Sequence, residues 1–309
     1  MCKPRQLAAT SSFLLLFSVS AHAELKVIAS IKPIQSLVAS VMQGVGTPGL
    51  IVDGAGSPHT YSLRPSKAAE LQDANVIFWV GKDLENFLVK PIETLGGNAK
   101  AISLLDAEGV IKLPPREGKG FDPHLLEGEP EHKAGAEIDP HIWLDPENAK
   151  AMVLNIAKVL SEADTAHAET FARNATATVA KIDVLENELA AQLAPLSTKG
   201  FIVFHDAYQY FERRFGLHAT GAITINPENP PGAAGIAALK LRIAGGKAVC
   251  VFAEPQFDNK LVDVVIEGSS VKAAVLDPLG AALEPGPELY GTLLRELGNS
   301  LTDCLSPNN

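Results

Sequence analysis

Short apolar runs without polar alternation recur along this chain, with segments of helical period between them. In the first half they are Leu25–Ile31, Leu50–Val52, Val76–Val80 and Ala101–Leu105; in the second they are Phe201–Phe204, Ala222–Ile225, Val249–Ala253 and Ala273–Leu276. Strands that lack an exposed face sit between two layers of helix, so this pattern predicts parallel sheets. Between the halves the period changes. Asp145 predicts a helix N-cap, Pro146 its first position, and Met152, Val153, Ile156, Val159 and Leu160 a single apolar face. A second helix follows from about Ala166 to Leu193, with Phe171, Ala175, Val179, Ile182, Leu185, Leu189 and Leu193 three or four residues apart, until Pro195 stops it. At 1.5 Å per residue it would be roughly 40 Å long. A helix of that length joins two lobes stiffly, which a Gly/Ser linker does not. The expectation is an α/β protein with lobes at residues 24–164 and 196–309 and a connecting helix at 165–195.

Two segments fall outside the pattern. Residues 1–23 carry a positive start at Lys3 and Arg5, an apolar stretch around Leu14-Leu15-Leu16-Phe17, and a small-x-small site at Ala21-His22-Ala23. That is the anatomy of an export signal cleaved after Ala23, and it is too short to span a membrane. Cys2 precedes the apolar stretch instead of following the cleavage site, so a free periplasmic protein is expected, not a lipid-anchored one. The second segment, Leu113–Glu137, is rich in Pro, Gly and charge and reads as a surface loop, with His124 and His132 offering a weak secondary metal site. The Asn174-Ala175-Thr176 triplet falls within the predicted long helix and is read as a coincidental match to a glycosylation acceptor.

Charge narrows the partners. Losing the leader removes two basic residues and no acid, so the net charge goes from −10 to −12. An acidic surface of this kind argues against nucleic acid and anionic membranes. Cleavage also leaves two cysteines, Cys250 and Cys304, in an oxidising compartment, where a disulfide is the natural reading. Closing that loop would contribute on the order of 3–4 kcal/mol by the chain-entropy argument. The rival reading, a pair of thiolate ligands, lacks a CxxC spacing or a nearby histidine.

The chemistry lies in three histidines, each in its own polar loop. His59 stands in Ser57-Pro58-His59-Thr60-Tyr61, His141 in Asp139-Pro140-His141-Ile142-Trp143, and His205 at the carboxyl end of the run Phe201-Ile202-Val203-Phe204. Ligands of open parallel sheets bind beyond the carboxyl ends of the strands. Asp277 and Glu254 follow predicted strands in the same way. Three neutral imidazoles and one oxygen favour Zn2+, whereas Mn2+ prefers more carboxylate. Asp206 is expected to orient the His205 segment and Glu254 to stand behind the ligands.

These runs resemble a known family. Ser57-Pro58-His59-Thr60-Tyr61-Ser62-Leu63-Arg64-Pro65-Ser66, Asp139-Pro140-His141-Ile142-Trp143-Leu144-Asp145-Pro146, Phe204-His205-Asp206-Ala207-Tyr208 and Val251-Phe252-Ala253-Glu254-Pro255-Gln256-Phe257 are similar, in the same order, to those of ZnuA-type proteins, the periplasmic zinc-binding components of ABC uptake systems. The resemblance implies two Rossmann-like lobes, a rigid connecting helix and a metal in the cleft. It also implies a metal site of His59, His141 and His205 completed by Asp277, a Cys250–Cys304 disulfide, and delivery of Zn2+ by a monomer to a membrane permease with its cytoplasmic ATPase. Two departures stand out. Pro58 occupies the place of a glutamate that some members use beside the first histidine, which leaves Asp277 or water as fourth ligand. The long histidine-rich loop of many relatives is reduced here to His124 and His132.

Other classes fit less well. A zinc hydrolase with Glu254 as base would need a substrate pocket and an open water position, and HExxH is absent. A manganese-binding protein would usually carry Glu where His205 stands. An adhesin-like surface role lacks a lipid anchor. The expected activity is binding, not catalysis.

Overall fold

The computed structural model describes residues 25–97, 99–116, 138–227 and 231–306. The leader and the segment holding His124 and His132 lie outside these residues. In the first half β1 (Val27–Ala29), α1 (Lys32–Val41), β2 (Gly49–Leu50), α2 (Pro65–Asp73), β3 (Val76–Trp79), α3 (Asn86–Thr94) and β4 (Lys100–Ser103) alternate strictly. The chain then forms α4 (Pro146–Ala163) and α5 (Ala168–Leu193). In the second half β5 (Gly200–His205), α6 (Gln209–Phe215), β6 (His218–Thr224), α7 (Ala233–Ala244), β7 (Cys250–Ala253), α8 (Lys260–Ile266) and β8 (Lys272–Val275) repeat the alternation, and α9 (Leu289–Leu305) closes it. Each apolar run noted above is a strand or overlaps one.

Both sheets are four-stranded and parallel, in the orders β2-β1-β3-β4 and β6-β5-β7-β8. In each, the chain winds outward in opposite directions from the central pair, which creates a crevice beyond the carboxyl ends of β1 and β3 and of β5 and β7. The central strands β1, β3, β5 and β7 are buried and carry mostly apolar side chains on both faces, whereas the edge strands β4 and β8 are partly exposed.

The helices between the halves form as their sequence predicts. The Asp145 side chain accepts a hydrogen bond from Glu147 N, and Pro146 opens α4. α5 runs for 26 residues, about 39 Å, and buries Phe171, Ala175, Ile182, Leu185, Leu189 and Leu193. α4 and α5 pack along each other, and α9 returns to pack on α5 and α1. At Gly298 an added Cβ would lie 2.6 Å from Leu189 Cδ2, so a larger residue would push α9 off α5. One apolar cluster runs from β1 and β3 through α4 and α5 to β5 and α9. The two sheets thus share a core. Asn174 donates from Nδ2 to Val41 O and Gln43 O, both at 2.9 Å, tying α5 to the end of α1. Among the described residues, no helix is long and apolar enough to cross a membrane.

Cys250, at the start of β7, is joined to Cys304 in α9 by a disulfide spanning 54 residues. Loop closure of this length limits the unfolded chain by about 4 kcal/mol. The oxidised protein is expected to show no free thiol by mass spectrometry at these positions. Reduction should lower the melting temperature of the metal-free form by on the order of 5–10 °C.

Candidate metal centre

Three loops, from three different parts of the chain, bring His59, His141 and His205 to one point. His59 lies between β2 and α2, His141 immediately precedes a short 3-10 turn at Ile142–Leu144 that leads into α4, and His205 is the last residue of β5. The Nε2 atoms of His59 and His141 are 3.3 Å apart, as are those of His205 and His141. A tetrahedral zinc ion with Zn–N bonds of about 2.0–2.1 Å has ligand–ligand edges of about 3.3–3.4 Å. The two edges that meet at His141 Nε2 therefore already have the spacing of such a tetrahedron, and the third lies within 4.8 Å. They are the group of His, Cys, Asp and Glu side chains, among the described residues, whose ligand atoms lie within 4.8 Å of one another.

What points the rings inward is a carboxylate behind two of them. Asp139 Oδ1 accepts from His141 Nδ1 at 2.7 Å and from His141 N at 3.0 Å. Glu254, just beyond β7, faces His205 Nδ1 with both oxygens, at 2.8 and 2.7 Å. A carboxylate that accepts a hydrogen bond from Nδ1–H fixes the tautomer with a lone pair on Nε2, and it makes that nitrogen a stronger donor to a metal. Glu254 was expected near the cleft. Asp139 was not singled out, and its signal was the short Asp-Pro-His spacing, which lets one carboxylate reach both nitrogens of a residue two positions on. The Trp143 ring lies 5.3 Å from the His141 ring and its Nε1 donates to Pro278 O at 2.8 Å, so the wall of the site is braced across the two halves.

Electrostatics separate the three imidazoles. Burial holds His141 well below the usual histidine range, and the neighbouring His205 charge adds to this. His59 is lowered well below it by burial and then by both other histidines. His205 goes the other way. Burial opposes its charge, but the Glu254 carboxylate beside it, with Asp206 and Asp139 further off, outweighs that penalty and raises it. Asp139 itself is pushed up to about 7 by burial. Of the three rings, His205 is therefore the one most disposed to carry a proton.

Asp206 contacts neither the His59 nor the His141 ring. It pairs with Arg116, whose guanidinium also binds Glu212 at 2.8 and 2.9 Å, all three side chains being buried. This cluster pins the strand end that carries His205 to the segment after Leu113. Asp277, expected as fourth ligand, is outside the triad. Its Oδ1 accepts from Gln256 Nε2 at 2.8 Å and from Leu279 N and Gly280 N at 3.0 Å, and its Oδ2 from Ala281 N at 2.5 Å. The carboxylate is held by the turn that follows it and by Gln256. His124 and His132 fall outside the described residues.

The halves are tied together around the site. Lys32 Nζ, buried at the start of α1, donates to Gly280 O, Ala281 O and Leu283 O at 2.8–3.0 Å. Arg214 of α6 holds Asp145 with two bonds of 2.7 and 2.9 Å, and Tyr210 bridges Leu113 N and Asp139 O, each at 2.9 Å. Such cross-links hold the three histidine segments from both halves in register.

The contribution of the carboxylates is measurable. Glu254→Gln keeps an acceptor for His205 Nδ1 but removes the charge. Zinc affinity should fall about 10–100-fold, read by titration against a competing chelator, with a normal circular dichroism spectrum.

Comparison with known proteins agrees with this geometry. The profile of the family described as "ZnuA: Zinc-uptake complex component A periplasmic" matches residues 27–304. The chain is 48% identical over 305 residues to the high-affinity zinc uptake system protein ZnuA of Brucella suis biovar 1 (strain 1330), covering 91% of each. It is 36% identical to the protein of the same description from Paracoccus denitrificans (strain Pd 1222), covering 93% of this chain and 94% of that one. A crystal structure of ZnuA superposes with a TM-score of 0.77 at 26% identity, over 92% of this chain and all of the other. With two parallel four-stranded sheets, a long central helix and a match from β1 to α9, the chain belongs to the ZnuA family of periplasmic zinc-uptake components.

Proposed function

We propose that this protein captures Zn2+ with high affinity in the periplasm and hands it to an ABC-type permease powered by a cytoplasmic ATPase. The observation that carries this reading is the convergence of the three histidines, with the Nε2 atoms of His59 and His205 each 3.3 Å from that of His141 and two of the rings backed by carboxylates. His59, His141 and His205 are the ligands, with an oxygen in the fourth place. That oxygen belongs to water as long as Asp277 keeps its four hydrogen bonds, and direct ligation by Asp277 requires the 278–281 turn to open. The protein acts as a carrier, not an enzyme. Its leader at residues 1–23 is cleaved after Ala23, and the mature chain works as a monomer, with lobes around the two sheets and α5 between them.

Imidazole-rich sites bind Cu2+ and Ni2+ tightly as well, so cargo identity rests on geometry and availability. Elemental analysis of protein purified from a periplasmic extract, with a competition titration, tests the reading. One zinc per chain, displaced by other metals only in the order of their intrinsic affinities, is expected. Stoichiometric manganese in place of zinc would overturn it.

A further inference from the structure

Asp277 is engaged by four hydrogen bonds outside the three-histidine group, and the residue bonded to it, Gln256, supplies an unused acceptor. Gln256 follows β7 by three residues and lines a cavity of about 10 Å3 together with His59, His141, His205 and Pro278. That is about the space of one water molecule. Its Nε2 donates to Asp277 Oδ1 at 2.8 Å. Because a carboxylate at neutral pH only accepts, this bond fixes which end of the amide is nitrogen. The opposite end, Oε1, is buried and has no hydrogen-bond partner. Buried amide oxygens are nearly always paired, and an unpaired one in a native protein calls for a donor.

We propose that Gln256 is a positioning residue for the metal: its Oε1 accepts a hydrogen bond from the water that completes the zinc coordination. This rests on the three-histidine reading above. A metal-bound water carries two strongly polarised O–H groups and needs acceptors. The lining here is mostly apolar (Pro58, Trp143, Phe257, Pro278 and Leu279), beside Ser57 and a Glu254 already engaged with His205 Nδ1. The chain is then Ala281, Gly280 and Leu279 N–H to Asp277, Asp277 to Gln256, and Gln256 to the water. Three backbone donors lock the carboxylate, the carboxylate locks the amide, and the amide orients the fourth ligand. Asp277 thus acts on the metal at one remove, through Gln256.

The test uses the mature protein loaded with Zn2+ for affinity and with Co2+ for its visible spectrum, which responds to the fourth ligand. Gln256→Met, close in volume but without an amide, should weaken zinc about 10–100-fold and shift the Co2+ bands while stoichiometry stays at one. Gln256→Asn is too short to span from Asp277 to the cavity and should behave alike, so either variant suffices if the other fails to fold. Asp277→Asn should cost affinity in the wild-type background and nothing further in the Gln256→Met background. An unchanged Co2+ spectrum and zinc affinity in a folded Gln256 variant would overturn the proposal. So would a full, additive loss on adding Asp277→Asn, which would mean that Asp277 binds the metal itself. Failure of the wild-type protein to bind either ion would instead sink the metal reading, a result distinct from both.

Discussion

Replacing any one of the three histidines by alanine is expected to reduce zinc affinity by roughly two to three orders of magnitude. Zinc sites of four ligands bind with about 10–16 kcal/mol, so each ligand carries about 2.5–4 kcal/mol, and about 1.4 kcal/mol is a factor of ten. The three variants should differ in what they do to the metal-free fold. His59 is half-buried, and its ring nitrogen meets only the other imidazoles of the site. His59→Ala should leave the apo melting temperature unchanged. His205→Ala removes the ring that both Glu254 oxygens face, leaving that buried carboxylate with a 3.3 Å bond from residue 205 N and the neighbouring Tyr208 hydroxyl. Stranding a buried charge is destabilising, so this variant should melt lower, and adding Glu254→Gln should recover part of the loss. Competition titration and thermal melts of the apo proteins read both effects. Wild-type affinity in His205→Ala would take that residue out of the site.

Zinc affinity should also fall with pH, by about one proton and not three. Ligation needs the Nε2 lone pair, so any proton there competes with the metal. Sequence alone gives three histidines titrating near pH ~6.5, and hence a dependence of up to roughly three protons between pH 7 and 5. The structure changes the count. His59 and His141 are held well below the usual range, so they are already neutral over that interval. His205 is raised, so its Nε2 is the one that carries a proton as pH falls. A raised pKa places the loss early: affinity is full above that value and declines about tenfold per pH unit below it. In Glu254→Gln the onset should move to lower pH, because the charge that raised His205 is gone. A slope of three protons would mean that the imidazoles titrate independently, contrary to their 3.3 Å spacing.

Much of the fold was legible because strands and helices are written in local periodicity. The eight apolar runs became the strands of two parallel sheets, and the spacing from Phe171 to Leu193 became the buried face of α5. Asp145 and Pro146 started α4 as their chemistry requires. Candidate ligands were legible for a similar reason: a histidine at the end of a buried strand, or beside a proline ahead of a helix cap, already has a defined direction. Their number and type pointed to zinc before any distance was known.

Convergence was a matter of tertiary packing. His59 and His141 are 82 residues apart in sequence, and His141 and His205 are 64 apart, so their 3.3 Å contacts depend on how α4, α5 and the inter-half bonds of Lys32, Trp143, Tyr210 and Arg214 set one half against the other. The same packing decided which carboxylate serves which purpose. Asp139, Glu254 and Asp277 all sit near candidate ligands or strand ends, and sequence position alone does not distinguish a ring-orienting acceptor from a metal ligand or a turn cap. Protonation was settled at this level too, since it depends on the burial and charge around each ring. The sequence by itself determined the elements and the kind of candidate ligand; the tertiary structure decided which side chains meet and which way burial and charge shift each ring, because only contacts between distant segments fix both distance and dielectric.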